Sequence, residues 1–318
     1  MLDVNICVVG AGSWGRNHVK SLHKLNSLGG VVDTDLNLIS SLKESYPYIK
    51  VHTNLEDALN QGYDAYTVVT PAETHHAIAK KIILAGKHIL IEKPMAMSIK
   101  EAEELVDLSN SKNINAMVGH VLLFHPAIKK IKDLIDKGRV GNLQYLYSNR
   151  LNLGKVRTEE NVFWSLAPHD IAIFQFLTKS YPKSIDAVGS TFLQKGIPDL
   201  TLTHIKYEND VRGHIFVSWL HPFKEHRLVI IGSEAMISFE DSKEGKPLKL
   251  YSKKFDITSG VPEKIDGPVE FIHYEKKMPL EAELEYFTSH LNNKPKIANI
   301  DHGLEVTKII IEASNQLI

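Results

Sequence analysis

The spacing of apolar residues switches between two periods along the first 120 residues of the chain. Short, almost continuous apolar runs occupy residues 4–9, 28–32, 65–69 and 87–91, which is a length typical of buried strands. Between these runs, apolar residues recur every three or four positions, as in helices with one buried side. Strands that alternate with helices predict a doubly wound parallel sheet, so we place an α/β domain of this kind in residues 1–120.

The pattern beyond residue 120 differs, because long alternating runs follow one another with few helices between them. A helix is predicted from Pro126, and strands are predicted at residues 143–151, 184–192, 200–207, 211–220, 227–231 and 235–239. Such a succession of strands argues for antiparallel pairing. Two closing helices are predicted at residues 280–291 and 301–317, with Asp301 as an N-cap, and we expect both to pack back on this sheet. Residues 121–318 are therefore predicted to form a second α/β domain with a largely antiparallel sheet.

The first predicted strand leads directly into a glycine-rich turn that opens the first helix, Gly10-Ala11-Gly12-Ser13-Trp14-Gly15. In a dinucleotide-binding turn, the first glycine permits the tight bend, the second admits a pyrophosphate, and the third lets helix and strand pack closely. The helix N-terminus attracts the phosphates. We expect cofactor contacts from Gly10, Gly12, Ser13, Trp14 and Gly15. The alternative is a glycine-rich turn of some other α/β domain.

Asp33 ends the second predicted strand, where a carboxylate accepts hydrogen bonds from the adenosine ribose and repels a 2′-phosphate. This residue therefore favours NAD over NADP as the cofactor. The rest of the composition adds little to the prediction of an NAD-binding domain. Lys+Arg 37 against Asp+Glu 38 leaves no basic field for nucleic acid, and no apolar run has the length of a membrane span. The single cysteine, Cys7, agrees with a reducing cytoplasm, and no HExxH or CxxC spacing predicts a metal site.

Two more loops follow predicted strands, at the sheet edge where ligands bind in open α/β folds. One contains Thr70 and Pro71, with His75 shortly after; the other is Glu92-Lys93-Pro94, in which the proline allows a cis peptide. A lysine held at this edge can donate to a substrate oxygen and stabilise an alkoxide. Taken alone, the first loop is equally an ordinary turn and Lys93 an ordinary solvated lysine. The glycine turn upstream favours the catalytic interpretation.

These motifs carry a family resemblance. The glycine turn, Thr70-Pro71 with His75, and the string Ala85-Gly86-Lys87-His88-Ile89-Leu90-Ile91-Glu92-Lys93-Pro94 resemble the Gfo/Idh/MocA oxidoreductases, and the layout agrees over nearly the whole chain. The resemblance implies a Rossmann domain with a nicotinamide cofactor, followed by an α/β domain whose open sheet forms the substrate wall and often an oligomer face. It also implies that Glu92 lies near the nicotinamide ribose and that Lys93 is the catalytic lysine.

A second centre of chemistry is expected in residues 161–170. Pro168 suits the first turn of a helix, which would put His169 at the helix start beside a loop facing the cofactor. The family usually carries Asp-x-x-x-His here, and His169 matches its proton-transferring histidine. Ser165 replaces the aspartate, so the orienting partner is open, with Asp170 as a possible substitute. A structural histidine is the alternative.

Further substrate contacts are expected from polar and aromatic side chains near these centres. The predicted strand 143–151 has a polar end, residues 149–152, as a polyhydroxylated substrate would require, although a strand leaving the core would also be polar. Residues 221–226 form a polar loop able to contact a diphosphate, with a solvated surface loop as the alternative. The candidate substrate residues are Lys93, His120, Arg150, Asn161, Trp164, His169 and Asp170.

The combined prediction is an NAD-dependent dehydrogenase that oxidises a secondary hydroxyl of a sugar held between Lys93 and His169. Residues 161–170 and 218–223 resemble the branch of the family that oxidises nucleotide sugars. This implies oxidation of the 3-hydroxyl of a UDP-N-acetyl-hexosamine to a 3-keto sugar, coupling to an aminotransferase, and a homodimer or homotetramer. The alternatives are a dehydrogenase of a free sugar or inositol, and a non-catalytic protein of the same fold that senses the cofactor. No nucleic-acid or membrane partner is expected.

Overall fold

The computed structural model describes residues 4–154, 156–158 and 160–317. The chain divides into two compact units, residues 1–124 with 277–307 and residues 125–276 with 308–318. Within the described residues, no helix combines the length and the apolar character needed to cross a membrane. The predicted second domain included everything after residue 120, whereas residues 277–307 cluster with the first unit.

The first unit contains a six-stranded parallel sheet with helices between its strands. Its strands are β1 (Ile6–Val9), β2 (Leu28–Val32), β3 (Lys50–His52), β4 (Ala65–Val68), β5 (His88–Glu92) and β6 (Ala116–Gly119). Its helices are α1 (Gly15–Lys24), α2 (Leu36–Ser45), α3 (Leu55–Leu59), α4 (Ala72–Leu84) and α5 (Ile99–Ser111), followed by a 3₁₀ helix (Val121–Phe124). The strand order β3-β2-β1-β4-β5-β6 is that of a doubly wound dinucleotide-binding fold, as predicted.

The apolar runs seen in the sequence are the central strands of this sheet. All four residues of β1 and of β4 are buried, because helices cover both faces of a parallel sheet. A capping box opens α5, since Ser98 accepts from the Glu101 N–H and Glu101 accepts from the Ser98 N–H. Local sequence signals thus account for this part of the fold.

The second unit is built on an eight-stranded sheet. Its elements are α6 (Pro126–Asp136), β7 (Leu143–Leu151), α7 (Val162–Thr178), β8 (Pro182–Ser190), β9 (Leu200–Tyr207), β10 (Arg212–Ser218), β11 (Glu225–Gly232), β12 (Met236–Glu240), β13 (Leu248–Asp256) and β14 (Glu263–Phe271). The strand order is β14-β13-β12-β11-β7-β10-β9-β8. All neighbours are antiparallel except β7 and β10, which confirms the predicted, largely antiparallel sheet.

The chain ends with α8 (Pro279–Ser289) and α9 (Ile300–Ser314). Contacts within the first unit explain why residues 277–307 join it. The Asn115 side-chain amide donates to the carbonyls of His290 and Leu291, at 2.8 Å each, and the rings of Phe124 and Tyr286 are in contact. These bonds join residues that are far apart in sequence, so the apolar pattern alone could not predict them.

Two predicted helix starts are wrong. Helix α7 begins six residues before Pro168, because the Asn161 side chain accepts from the Trp164 N–H at 3.0 Å and caps it there. His169 therefore lies in the middle of a helix and not at its start. Helix α9 begins at Ile300, where the Asn299 side chain accepts from the His302 N–H at 2.9 Å. Asp301 is thus in the first turn and is not the N-cap.

Candidate active site

The three glycines of the first turn have three different surroundings. Gly10 has a φ of +89°, and a Cβ atom there would lie 2.8 Å from the Val69 carbonyl oxygen. A Cβ atom at Gly15 would overlap the Gly10 carbonyl oxygen, so close packing of α1 requires glycine. At Gly12, by contrast, a Cβ atom would meet nothing within 4 Å. The turn therefore leaves its middle glycine accessible to a ligand, and α1 begins without a side-chain cap or an acidic residue in its first turn.

Asp33 holds this turn from the end of β2. One carboxylate oxygen accepts from the Ala11 N–H at 2.7 Å, and the other accepts from the Asp35 N–H at 3.0 Å. The side chain is half-buried, so its charge lies beside the glycine turn and still reaches solvent. This is the position in which a carboxylate meets the adenosine ribose in a Rossmann fold.

His75 joins the two loops that follow β4 and β5. Its imidazole is buried, with Nδ1 2.8 Å from the Pro94 carbonyl oxygen and Nε2 2.8 Å from the Thr70 carbonyl oxygen. Pro71 begins the turn into α4, and the Lys93–Pro94 peptide is cis. His75 was predicted as a cofactor contact; each of its ring nitrogens lies within hydrogen-bond distance of a backbone carbonyl oxygen, so it braces the loops that carry Thr70 and Lys93.

Glu92 is the buried centre of the first unit's candidate site. One oxygen accepts from Trp14 Nε1 at 2.8 Å and contacts His18 Nε2 at 3.0 Å, while the other accepts from the Lys93 backbone N–H at 3.2 Å. Burial alone would raise the pKa of Glu92, but the bonds from His18 and Trp14 outweigh it and hold that pKa below its ordinary value. A Cβ atom at Gly119 would lie 2.8 Å from the Glu92 carboxyl carbon, so β6 must end in glycine beside it.

Two residues that contact Glu92, His18 and Trp14, differ from what the sequence predicted. His18 was not predicted as a site residue, although its place one helical turn after Trp14 is the signal that could have found it. Trp14 is 43% exposed yet its indole N–H points to buried Glu92. The Lys93 side chain itself is half-buried.

His120 follows β6 directly and lies close enough to Lys93 for that charge to affect it. Burial lowers the pKa of His120 well below its ordinary value, and the His302 and Lys93 charges lower it further. The rings of His120 and His302 meet edge to face, with centroids 5.4 Å apart. Neither nitrogen of His120 has a hydrogen-bond partner among the described residues. A neutral imidazole there can donate to or accept from a hydroxyl group.

In the second unit, a buried ion pair fastens the middle of α7 to β7. The Arg150 guanidinium donates from Nε at 2.8 Å and from Nη2 at 2.9 Å to the two oxygens of Asp170, and the Ser148 hydroxyl donates to Asp170 at 2.6 Å. Such a two-point pair fixes both groups in one plane. Because His169 is next to Asp170 in α7, the pair also positions His169, which is half-buried.

Arg150 and Asp170 were predicted as substrate contacts. In the structure they form an ion pair with each other. Burial would lower the pKa of Arg150, but the Asp170 carboxylate raises it above its ordinary value. His226 Nδ1 lies 3.5 Å from Arg150 Nη1, and burial together with the Arg150 and Lys224 charges lowers the pKa of His226 to about 4. His226 belongs to strand β11 and not to the polar loop that the sequence predicted.

The remaining predicted residues lie along the first turn of α7. Asn161 uses its side-chain oxygen to cap the helix, and Trp164, which receives that bond at its backbone, is half-buried. Lys93 belongs to the first unit and His169 to the second. Each unit thus supplies one of the two predicted catalytic side chains, and the predicted roles of both remain predictions.

Comparison with known proteins gives two matches to family models. Residues 4–120 match the oxidoreductase family with an NAD-binding Rossmann fold, and residues 128–238 match the GFO/IDH/MocA C-terminal domain. Together these matches span most of the chain, and each falls in one of the two units.

Among curated relatives, the UDP-N-acetylglucosamine 3-dehydrogenase of Acidithiobacillus ferrooxidans is 26% identical over 295 residues, which is 90% of this chain and 88% of that enzyme. A solved structure of that enzyme has a TM-score of 0.88 at 24% identity and covers 100% of this chain and 98% of its own. The D-xylose 1-dehydrogenase [NADP(+)] of Haloarcula marismortui is 25% identical over 81% of this chain and 74% of that enzyme. The scyllo-inositol 2-dehydrogenase (NAD(+)) of Bacillus subtilis is 27% identical over 55% of each chain.

Proposed function

Because the chain belongs to the Gfo/Idh/MocA family, and is therefore an NAD(P)-dependent dehydrogenase acting on CH–OH groups, we propose that it oxidises the 3-hydroxyl of a UDP-N-acetyl-hexosamine. The product is a 3-keto sugar. The observation that carries the proposal is the similarity to the Acidithiobacillus ferrooxidans enzyme along 90% of this chain. The 3-keto sugar is a substrate for an aminotransferase, so a partner enzyme of that class is part of the proposal.

The residues of the first unit suit a bound NAD. The uncapped start of α1 and the accessible Gly12 would hold the pyrophosphate, and Asp33 would accept from the adenosine ribose. NAD held by these residues would supply the acceptor for the hydride of the substrate carbon. Asp33 also carries a negative charge where NADP would place its 2′-phosphate, which supports NAD as the preferred cofactor.

Proton transfer is the task of the chain's own side chains. In the proposed reaction, one of Lys93 and His169 takes the proton of the substrate hydroxyl while the other stabilises the oxygen. His120, neutral and next to Lys93, is a third group able to bond a sugar hydroxyl. The Arg150–Asp170 pair keeps α7, and therefore His169, in one position.

The direct test follows NADH absorbance when the purified protein meets NAD and UDP-N-acetylglucosamine. Glutamate and a 3-keto-sugar aminotransferase remove the ketone, which draws an unfavourable oxidation forward. We expect NADH with the nucleotide sugar and none with free N-acetylglucosamine, because the uridine diphosphate contributes to binding. Absence of NADH from every nucleotide sugar, with NAD binding intact, would contradict the proposal.

The second candidate function is oxidation of a free sugar or cyclitol. The similarity to D-xylose and scyllo-inositol dehydrogenases favours it, since those enzymes share the family but not the nucleotide. D-xylose and scyllo-inositol therefore belong in the same assay. Turnover of D-xylose or scyllo-inositol, without turnover of the nucleotide sugar, would establish oxidation of a free sugar or cyclitol as the function.

A further inference from the structure

Helix α8 carries a glutamate whose burial none of the roles above explains. The Glu283 side chain is 0% exposed, and neither of its carboxyl oxygens has a hydrogen-bond partner among the described residues. Glutamate is almost never fully buried without a partner, because its charged form is costly to remove from water. Sequence analysis did not single out this residue.

Among the described residues, no cation lies within hydrogen-bond distance of the Glu283 carboxyl group. Helix α8 packs against α1 and the 3₁₀ helix of the first unit. The 3₁₀ helix has no titratable side chain. Helix α1 carries exposed Arg16, Lys20 and His23, exposed Lys24, which bonds to Glu281 at 2.8 Å, and buried His18, which bonds to Glu92. The charged group that acts on Glu283 is the Glu92 carboxylate.

Two carboxyl groups buried in one cluster do not both ionise, and their partners decide which one does. Glu92 faces the N–H groups of Trp14 and Lys93 and the ring of His18, whereas Glu283 has no donor. Burial and the Glu92 charge raise the pKa of Glu283 well above its ordinary value, while the donors lower that of Glu92. The negative charge therefore belongs to Glu92 and the proton to Glu283.

We propose that Glu283 is a positioning residue that acts as a neutral carboxylic acid beside Glu92. In this form it adds no second negative charge near Glu92, so Glu92 stays ionised and holds Trp14, His18 and the backbone of Lys93. Ionisation of Glu283 would put a second negative charge against Glu92 and disturb all three contacts. The link between Glu283 and turnover rests on the proposed function, in which Lys93 is catalytic. The protonation state of Glu283 does not depend on the proposed function.

The substitution that isolates this role is Glu283→Gln, which keeps the shape of a protonated carboxyl group and cannot ionise. Glu283→Ala removes the side chain altogether. Glu285→Gln is the matched control, because Glu285 lies on the same helix, forms an ion pair with Lys277 and is 55% exposed. All three variants change one glutamate of α8.

Stability against pH gives a readout that needs no substrate. Because the pKa of Glu283 is higher in the folded protein, the folded state holds a proton that the unfolded state has lost above the ordinary pKa of 4.5. Wild-type stability should therefore decrease as pH rises, by up to about tenfold in the folding equilibrium constant per pH unit. Glu283→Gln should remove this slope, and Glu285→Gln should keep it. The infrared carbonyl band of a buried carboxylic acid should be present in wild type and absent from Glu283→Gln.

Activity and cofactor binding test the positioning role itself. At neutral pH, Glu283→Gln should keep wild-type turnover and NAD affinity, and at alkaline pH it should retain activity that wild type loses. Glu283→Ala should lower kcat by about tenfold or more with less effect on KM, because the Lys93 loop is displaced. If Glu283→Ala does not fold, the Glu283→Gln pH profile still decides.

Parallel stability curves and pH profiles for wild type and Glu283→Gln would overturn the proposal, as would loss of NAD binding by folded Glu283→Gln at neutral pH. Failure of the proposed function would be different: no nucleotide sugar would be oxidised, yet the stability slope, the infrared band and the NAD affinities would behave as described.

Discussion

Asp33 holds the glycine turn and, in the proposed complex with NAD, supplies the charge beside the adenosine ribose. Its two oxygens accept from the N–H groups of Ala11 and Asp35, so the carboxylate cannot rotate away without breaking a hydrogen bond. Glu92 also accepts hydrogen bonds from two separate segments: Trp14 of the glycine turn and the backbone of Lys93. Single substitutions can therefore test both the cofactor preference and the rate of turnover.

Replacing Asp33 with Asn should weaken the preference for NAD. The amide keeps the size of the carboxylate but removes the charge that repels a 2′-phosphate, so the ratio of NADP to NAD affinity should rise by about tenfold, equivalent to roughly 1.4 kcal/mol. Titration with both cofactors measures this ratio. Asp35→Asn, which removes the same charge two residues away and can still cap α2, should leave it unchanged. Equal ratios in wild type and Asp33→Asn would show that another residue selects the cofactor.

Lys93→Met and His169→Asn should each lower kcat by about a hundredfold or more, because each removes a group that transfers a proton or stabilises the substrate oxygen. NAD affinity should change far less than kcat. Steady-state kinetics and a fluorescence titration with NAD provide the two numbers, and Lys100→Met, at an exposed position, is the control. A loss of NAD affinity as large as the loss of kcat would mean that the site has been misassigned.

At the scale of elements, α7 is held by its cap, its buried apolar residues and one buried ion pair. Proline inside a helix costs about 3 kcal/mol or more, yet α7 continues through Pro168. Its cap at Asn161, its buried apolar residues Phe163, Ile171 and Phe174, and the pair with Arg150 offset that cost.

Breaking the Arg150–Asp170 pair should destabilise the protein strongly. Arg150→Met or Asp170→Asn leaves one buried group without its partner, which costs about 3–5 kcal/mol, whereas replacing both together costs less. Urea unfolding measures the change. Arg139→Gln breaks an exposed pair with Glu270 and should change stability by about 1 kcal/mol or less. A small effect of the Arg150 variant would mean that α7 is held by packing alone.

At the scale of the whole molecule, the sheet of the second unit leaves apolar side chains uncovered. Val188 of β8 is 63% exposed and Leu202 of β9 is 42% exposed, and the two are direct cross-strand neighbours. Phe216 of β10 is the next neighbour in the same row. A contiguous apolar patch on a sheet is typical of an interface between subunits.

We therefore expect a homodimer or homotetramer that uses this face. Leu202→Glu should shift the protein to a monomer, because it places a charge in the centre of the patch without altering the core. Light scattering measures the mass, and circular dichroism verifies the fold. Thr201→Ser, at a buried neighbouring position on the opposite face of β9, should keep the oligomer. A wild-type monomer, or an unchanged mass in Leu202→Glu, would contradict this expectation.

Sequence alone determined the elements of the first unit and the loops that carry Gly12, Asp33 and Lys93. This was possible because strand, turn and helix signals are local, and because the carboxyl ends of parallel strands meet at one edge of a sheet. The resemblance carried by the same motifs also led to the family that the family models confirm.

Only the tertiary structure decided which ionisable groups that are distant in the sequence interact with one another. It paired Arg150 with Asp170, buried Glu283 where the Glu92 charge acts on it, and joined residues 277–307 to the first unit. Burial and electrostatic contact between residues far apart in the chain leave no periodic trace in the sequence, so no spacing of residues could predict them. The proton on Glu283 is such a property, because it depends on a neighbour that folding alone brings into contact.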